Sequence, residues 1–329
     1  MKISWLRARI LASGDADPPN SPQSWRWIAR GHTIILSGIV ALAAALRLFN
    51  LQALGLANHY YSAAMVSMLQ SWRNFFFVAA EPGGSVSVDK PPLGFWIQAA
   101  SARALGVNTL GLMLPQIVAG LLSILVVERL ARRSFGRTAS LLAALALAVT
   151  PVAVAAERNN TIDSLLILVL LLAAWAFIKA AETGRWRPLL VGATLVGIGF
   201  NIKMLEAYLP LPAFYALYLT GSGERWGRKL GKLAAATALL LAISLSWAVI
   251  VDLTPADQRP YVGSSGDNSE MSLMIGYNGV ERLLGRFGGR GGAPGGPRAA
   301  GVPGGAMPQP GVRPPNMGAP GALPNGLPP

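Results

Sequence analysis

Asp89 and Lys90 stand together in Ser85-Val-Ser-Val-Asp-Lys-Pro-Pro-Leu-Gly-Phe-Trp-Ile-Gln98. Pro91 keeps Lys90 out of the helical region, and Pro92 suits a first helical turn. The spacing predicts an acid and a base on a stiff corner at the mouth of an amphipathic helix. A solvated loop is the plainer reading, but Phe95 and Trp96 make it less natural. Asp163 follows Arg158-Asn-Asn-Thr161 at the entrance of an apolar run. Ionisable groups there are costly and usually functional; N-capping is the bland alternative. Arg158 can pair with Asp163 or hold an anionic phosphate, or it can simply mark topology. Asn159 and Asn160 add polar groups beside it. Their match to a glycosylation sequon is put down to chance so near a membrane. Lys203 has Glu206 one helical step away. That is either a salt bridge of little consequence or a point charge for a lipid phosphate. His59, beside Tyr60 and Tyr61, reads first as part of an aromatic belt.

These residues are set among apolar runs. Of 329 residues, 52% are hydrophobic and 13% charged. Soluble domains carry about 25% charge, so the pattern is that of a multi-span membrane protein. The net charge of +13 lies mainly in short links, where Arg and Lys act as topology signals rather than a nucleic-acid surface. With no cysteine, disulfides and thiolate catalysis are excluded, and two histidines exclude a His-rich metal site.

In order, residues 1–32 read as a basic cytoplasmic arm, followed by an uncleaved anchor span at 33–49 with Arg47 snorkelling from its end. Residues 50–108 form an outer loop. Tyr61, Met65, Met68, Leu69 and Trp72 predict an interfacial helix there. Phe75, Phe76 and Phe77 insert beside it, Glu81-Pro-Gly-Gly84 turns, and a second interfacial helix covers 93–105. Further spans are predicted at 109–127, 138–156, 162–180, 188–201, 208–220 and 233–251, so the transmembrane region runs 33–251. Residues 252–285 are a polar outer segment. Residues 286–329 are a Gly/Pro-rich tail that cannot form a core, as expected of a fragment or of a reading frame cut at an insertion.

Seven spans place every basic segment on one side. The N-terminal arm and the links after the second, fourth and sixth spans hold 5, 4, 2 and 4 Lys/Arg. Positive-inside puts the N-terminus in the cytoplasm of a cell-membrane protein. Asp89, Lys90, Arg158, Asp163, Lys203, Glu206 and Asp252 then converge at the outer face.

Tyr60-Tyr61-Ser-Ala-Ala-Met-Val-Ser-Met-Leu69, Val88-Asp-Lys-Pro-Pro-Leu-Gly-Phe-Trp96, Arg158-Asn-Asn-Thr-Ile-Asp163 and Gly199-Phe-Asn-Ile-Lys203 come in an order that resembles glycosyltransferase family 39. That family includes protein O-mannosyltransferases and lipid A aminoarabinose transferases, and the chain looks most like a bacterial branch of membrane mannosyltransferases. The resemblance covers residues 30–285. It implies an all-α GT-C fold that takes a sugar from a polyprenyl-phosphate carrier to an outer-face acceptor of unknown identity. By motif match, Lys90 and Lys203 would hold the carrier phosphate, and Asp163 would be the acid at the outer end of the fourth span. Many relatives carry an acid just beyond the first span. Here that place reads Leu56-Ala-Asn-His-Tyr60, which leaves Asp89, Asp163 or His59 as the base.

The expected partners are the polyprenyl-phosphate sugar, the acceptor and membrane lipids, and not nucleic acid. No cofactor is called for, and a divalent metal ion is compatible with the reading. A transporter or flippase for a lipid or small solute is the second reading. Gly197 and Gly199 are its only broken-helix signal, and the ionisable groups lie at span ends rather than mid-span. An inactive truncated membrane partner is the third.

Overall fold

The structure, a computed structural model, describes residues 22–276. Helices joined by turns make up almost all of them. Paired backbone among the described residues is limited to isolated bridges of Ala79 with Ser87 and of Val86 with Tyr261. Most of the expected arm 1–32 and all of the tail 286–329 lie outside the described residues.

The first helix, α1, runs Pro22–Leu48 and so takes in part of the expected arm. After a 3-10 turn at Leu51–Leu54, the loop carries α2 (His59–Met68), α3 (Trp72–Phe76) and α4 (Pro92–Leu105). Asn58 and Ser71 cap α2 and α3 by accepting from the Tyr61 and Asn74 N–H groups. The interfacial helix expected through Trp72 is thereby cut at Leu69–Ser71. Met65 and Met68 are buried against protein, and Trp72 is exposed.

Next comes α5, Thr109–Val149, whose backbone leaves the helical region at Gly136 (φ 83°, ψ −177°). Only glycine adopts that conformation readily. Ile124 packs with Ala144 and Ala148, and the Ser140 hydroxyl donates to Glu128 Oε1 at 3.2 Å. α5 is therefore a hairpin of two limbs, 109–135 and 137–149. Pro151 ends the second limb and opens α6, Pro151–Glu157. The chain continues through α7 (Asp163–Thr183), α8 (Trp186–Lys203), a 3-10 turn (Met204–Tyr208), α9 (Leu211–Gly221), α10 (Trp226–Leu253) and α11 (Glu270–Ile275).

Among the described residues, five helices are long and apolar enough to cross a membrane, with α5 counted once. The second hairpin limb and the 11-residue α9 stand where the other two of the seven expected passes would lie. At 1.5 Å per residue they reach only about 20 and 17 Å, short of a bilayer core of about 30 Å. The span expected at 138–156 ends at Val149 because Pro151 interrupts it.

Arg47 departs from its expected snorkelling role. It is fully buried, pairs with Glu157, and donates to the Ala43 and Ala148 carbonyl oxygens at 3.1 and 3.0 Å. The turn at Pro151 brings Glu157 within its reach, and a buried charge needs such a partner. Gly197 and Gly199 do not break α8. They are close-packed against Ile243 and against Leu166 and Ala207, respectively.

The main core lies at the end of the bundle where α7 and α4 begin and α8 ends. It combines Met65, Val88, Phe95, Ile162, Ile202 and Trp247 with Leu273 of α11.

Candidate active site

The site is built at that same end. Lys90 is 7% exposed, and its Nζ donates to Asp89 Oδ2 at 2.7 Å and to the Asp89 carbonyl at 3.2 Å. Pro91 is extended (ψ 163°), and Pro92 starts α4, as the dipeptide requires. The preceding turn is held by Glu81, whose carboxylate accepts from the Ser85 and Gly83 N–H groups at 2.5 and 2.6 Å. Those N–H groups hold the Glu81 carboxyl below its ordinary range.

Asp163 opens α7, and Lys203 closes α8. Their side chains form an ion pair, and Lys203 also reaches Glu206 Oε2 at 2.8 Å. The left-handed backbone at Met204 (φ 46°) ends α8 and starts the 3-10 turn that carries Glu206. Gly94 then ties the two charged groups together. A Cβ there would lie 2.6 Å from Ile162 Cγ2 and 3.6 Å from Ile202 Cγ2. The first turn of α4 therefore rests on the residues next to Asp163 and Lys203.

Beside these pairs lies an apolar groove of about 240 Å³, lined by Phe76, Pro92, Trp96, Asn201 and Trp247 among others. The Trp96 and Trp247 ring N–H groups donate to the Phe75 and Phe76 carbonyls at 2.8 and 3.1 Å, which fixes the groove wall.

The other sequence candidates lie differently. Arg158 donates to the Leu46 carbonyl at 2.7 Å and, with Asn159, lines a separate groove of about 680 Å³ against Leu54, Val149 and Val154. Asn160 is fully buried. It accepts from the Asn58 N–H and donates to the Asn58 carbonyl and to Ser62, while Gln98 donates to its carbonyl. It clamps α2 and α4 to the start of α7, and its amide is committed to protein. His59 is exposed at the first position of α2.

Sequence reading missed Glu270. It has no exposed surface, sits near Asp89 and Asp252, and has neither carboxylate oxygen hydrogen-bonded. Its only sequence signal is Ser269, which caps α11. Asp252, expected only as an outer acid, accepts from the Glu270 and Met271 N–H groups at 2.7 and 3.1 Å. Among the described residues, no three His, Cys, Asp or Glu side chains group as metal ligands.

Residues 89–247 match the family described as dolichyl-phosphate-mannose-protein mannosyltransferase. The chain is 44% identical over 262 residues to the Bacillus subtilis protein named "Putative mannosyltransferase YkcB", covering 79% of this chain and 37% of that one. It is 31% identical over 174 residues to a Pseudomonas paraeruginosa undecaprenyl phosphate-alpha-4-amino-4-deoxy-L-arabinose arabinosyl transferase, covering 51% of this chain and 32% of that one. The chain thus spans about a third of the length of these relatives. Its fold is similar to that of apo ArnT from Cupriavidus metallidurans, with a TM-score of 0.50 at 21% identity over 69% of this chain and 42% of that one. The chain is a multi-pass membrane protein of GT-C fold, and these matches support a glycosyltransferase of family 39.

Proposed function

We propose that this chain carries the donor end of a membrane glycosyltransferase that takes a sugar from a polyprenyl-phosphate carrier and passes it to an acceptor at the outer face. The observation that supports this most is the juxtaposition of two lysine–carboxylate pairs, Lys90–Asp89 and Lys203–Asp163, beside an apolar groove. A lipid phosphate needs cations at its head and an apolar path for its chain. Transfer breaks the bond between the anomeric carbon and the phosphate oxygen, so cations at that oxygen favour the transition state. The acceptor hydroxyl gives its proton to a carboxylate. This reading assigns that step to Asp89 or Asp163, ahead of His59. The arabinosyl transferase relative is named for an undecaprenyl-phosphate sugar, which agrees with this donor class.

The positive-inside pattern supports a cytoplasmic N-terminus, which puts the site on the outer face. Arg158 and Asn159 border the second groove, outside the charged cluster.

The test is sugar transfer in membrane vesicles from radiolabelled polyprenyl-phosphate mannose, comparing the chain with Asp163→Asn and Lys90→Ala. Label should move to a new acceptor and be lost in both variants. Failure with every donor sugar, in this chain and in a C-terminally extended one, rejects the transferase.

A further inference from the structure

The segment after α10 is strapped to the Asp89–Lys90 corner by its backbone. The Ser87 N–H donates to the Tyr261 carbonyl at 2.8 Å, and the Tyr261 N–H donates to the Ser85 carbonyl at 2.8 Å. The Gly263 N–H adds a bond to the Ser87 hydroxyl at 3.1 Å. Arg73 reaches the Gln258 carbonyl at 3.0 Å. Beyond the strap, α11 inserts Leu273 and Met274 into the core that holds Val88 and Phe95. Glu270, at the start of α11, is thus sealed between the strap and the corner.

Glu270 has no exposed surface, and neither of its oxygens is hydrogen-bonded. The charged groups that face it are Asp252 from α10, Arg259 from the strap and Asp89 from the corner. Arg259 does not neutralise it by contact. Its Nε donates to the Thr254 carbonyl, and its Nη1 and Nη2 donate to Asn268, at 2.7–3.0 Å. Asp252 is engaged by the N–H groups of α11. A buried carboxylate with two acidic neighbours and no donor is costly, so the acid form is favoured.

We propose that Glu270, as a neutral acid, is a positioning residue for the transfer site: it seats the strap on the Asp89–Lys90 corner and keeps a further negative charge away from the lysine that meets the phosphate. This role in transfer rests on the function proposed above. Burial, then the Asp252 charge and the Asp89 charge, push the Glu270 carboxyl up to about 8, against the pull of Arg259. Released from the corner, the group returns toward the ordinary value of 4.5. The folded value is the raised one. Seating is therefore strongest below 4.5, weakens about tenfold per pH unit up to about 8, and is constant above that.

The test is hydrogen exchange of the amides of residues 255–276, with the chain in lipid nanodiscs, at pH 5.5 and pH 7.5, corrected for intrinsic rates. The opening constant should rise about 100-fold over these two units. It should stay flat in Glu270→Gln and in Glu270→Met, so the conclusion does not depend on one variant folding well. A flat response in the unsubstituted chain, or the same rise in both variants, overturns the proposal. In the vesicle assay, transfer should fall as pH rises through about 8, and Glu270→Gln should remain active and lose that fall. A Gln variant that keeps the alkaline fall overturns the positioning role. If no donor supports transfer in any form, the function proposed above fails, and the exchange result still decides whether Glu270 seats the strap.

Discussion

Lys203, at the end of α8, closes an ion pair with Asp163, at the start of α7. The two residues are 40 positions apart in the chain. Glu206 is a second acid on the same amine at 2.8 Å. One lysine therefore joins two helix ends and a 3-10 turn, so its charge is fixed in place before any ligand arrives. Such preorganisation is what makes a cation effective at a leaving phosphate.

Replacing Lys203 should then affect the chemistry more than the fold. Lys203→Met should lower the transfer rate about 10²- to 10³-fold, the scale for loss of one oriented electrostatic group. Its expression and thermal stability should stay close to those of the parent, because the pair is only partly buried. Lys203→Arg should recover part of the rate by keeping the charge, though the planar fork differs from a point charge. Equal loss of stability and activity in Lys203→Met would make the pair structural.

The seat of α4 can be tested without touching a charge. A Cβ at Gly94 would sit 2.6 Å from Ile162 Cγ2, a branched methyl that cannot swing aside. Gly94→Ala should push the corner away from Asp163, at a cost of about 1–3 kcal/mol in stability, with a drop in transfer. Ile162→Ala in the same chain should make room for the added methyl. Recovery of activity in the double variant, measured against each single one, would show that the corner acts through its distance from α7. Independent, additive losses would contradict it.

Arg47 offers a stability test away from the site. It is fully buried and shares its charge with Glu157. Arg47→Met strands a buried carboxylate and should lower stability by about 3–5 kcal/mol. Arg47→Met with Glu157→Leu removes both charges and should recover most of that loss. Unfolding in detergent by heat or denaturant, followed by tryptophan fluorescence, reads both effects. A double variant no better than the single one would mean that the pair is not what holds α6 to α1.

How much of this was visible in the sequence follows from where each signal is stored. The corner was legible because Pro91 and Pro92 constrain their neighbours locally, and α4 starts at Pro92 as they require. Asp163 and Lys203 were legible as charges at the ends of apolar runs, but their pairing is set by how α7 packs on α8. Gly136 as a hairpin turn was hidden inside a basic link that merely looked polar. The fate of Arg47 depended on Glu157 arriving from a distant turn, so local context suggested snorkelling instead. Asn160 looked like a site group because of its type, and only the fold shows its amide committed to Asn58 and Ser62. Glu270 was invisible for the opposite reason: its segment reads as polar loop, and burial arises only when the strap meets residues 85–88.

The absence of cysteine makes the membrane orientation directly measurable. Ser85 and Gln258 are exposed near the corner, and Thr183 is exposed at the opposite end of α7. Single cysteines at these positions can be probed in intact cells with a maleimide that does not cross the membrane. With the N-terminus in the cytoplasm, Ser85→Cys and Gln258→Cys should label from outside, while Thr183→Cys should label only after permeabilisation. Two positions at the site end guard against local occlusion of either one. The Lys/Arg count predicts this side because cationic links resist translocation. The chemistry requires it too, if the carrier presents its sugar at the outer leaflet. Labelling of Thr183→Cys in intact cells, with Ser85→Cys and Gln258→Cys protected, would place both lysine–carboxylate pairs in the cytoplasm and reject the outer-face site.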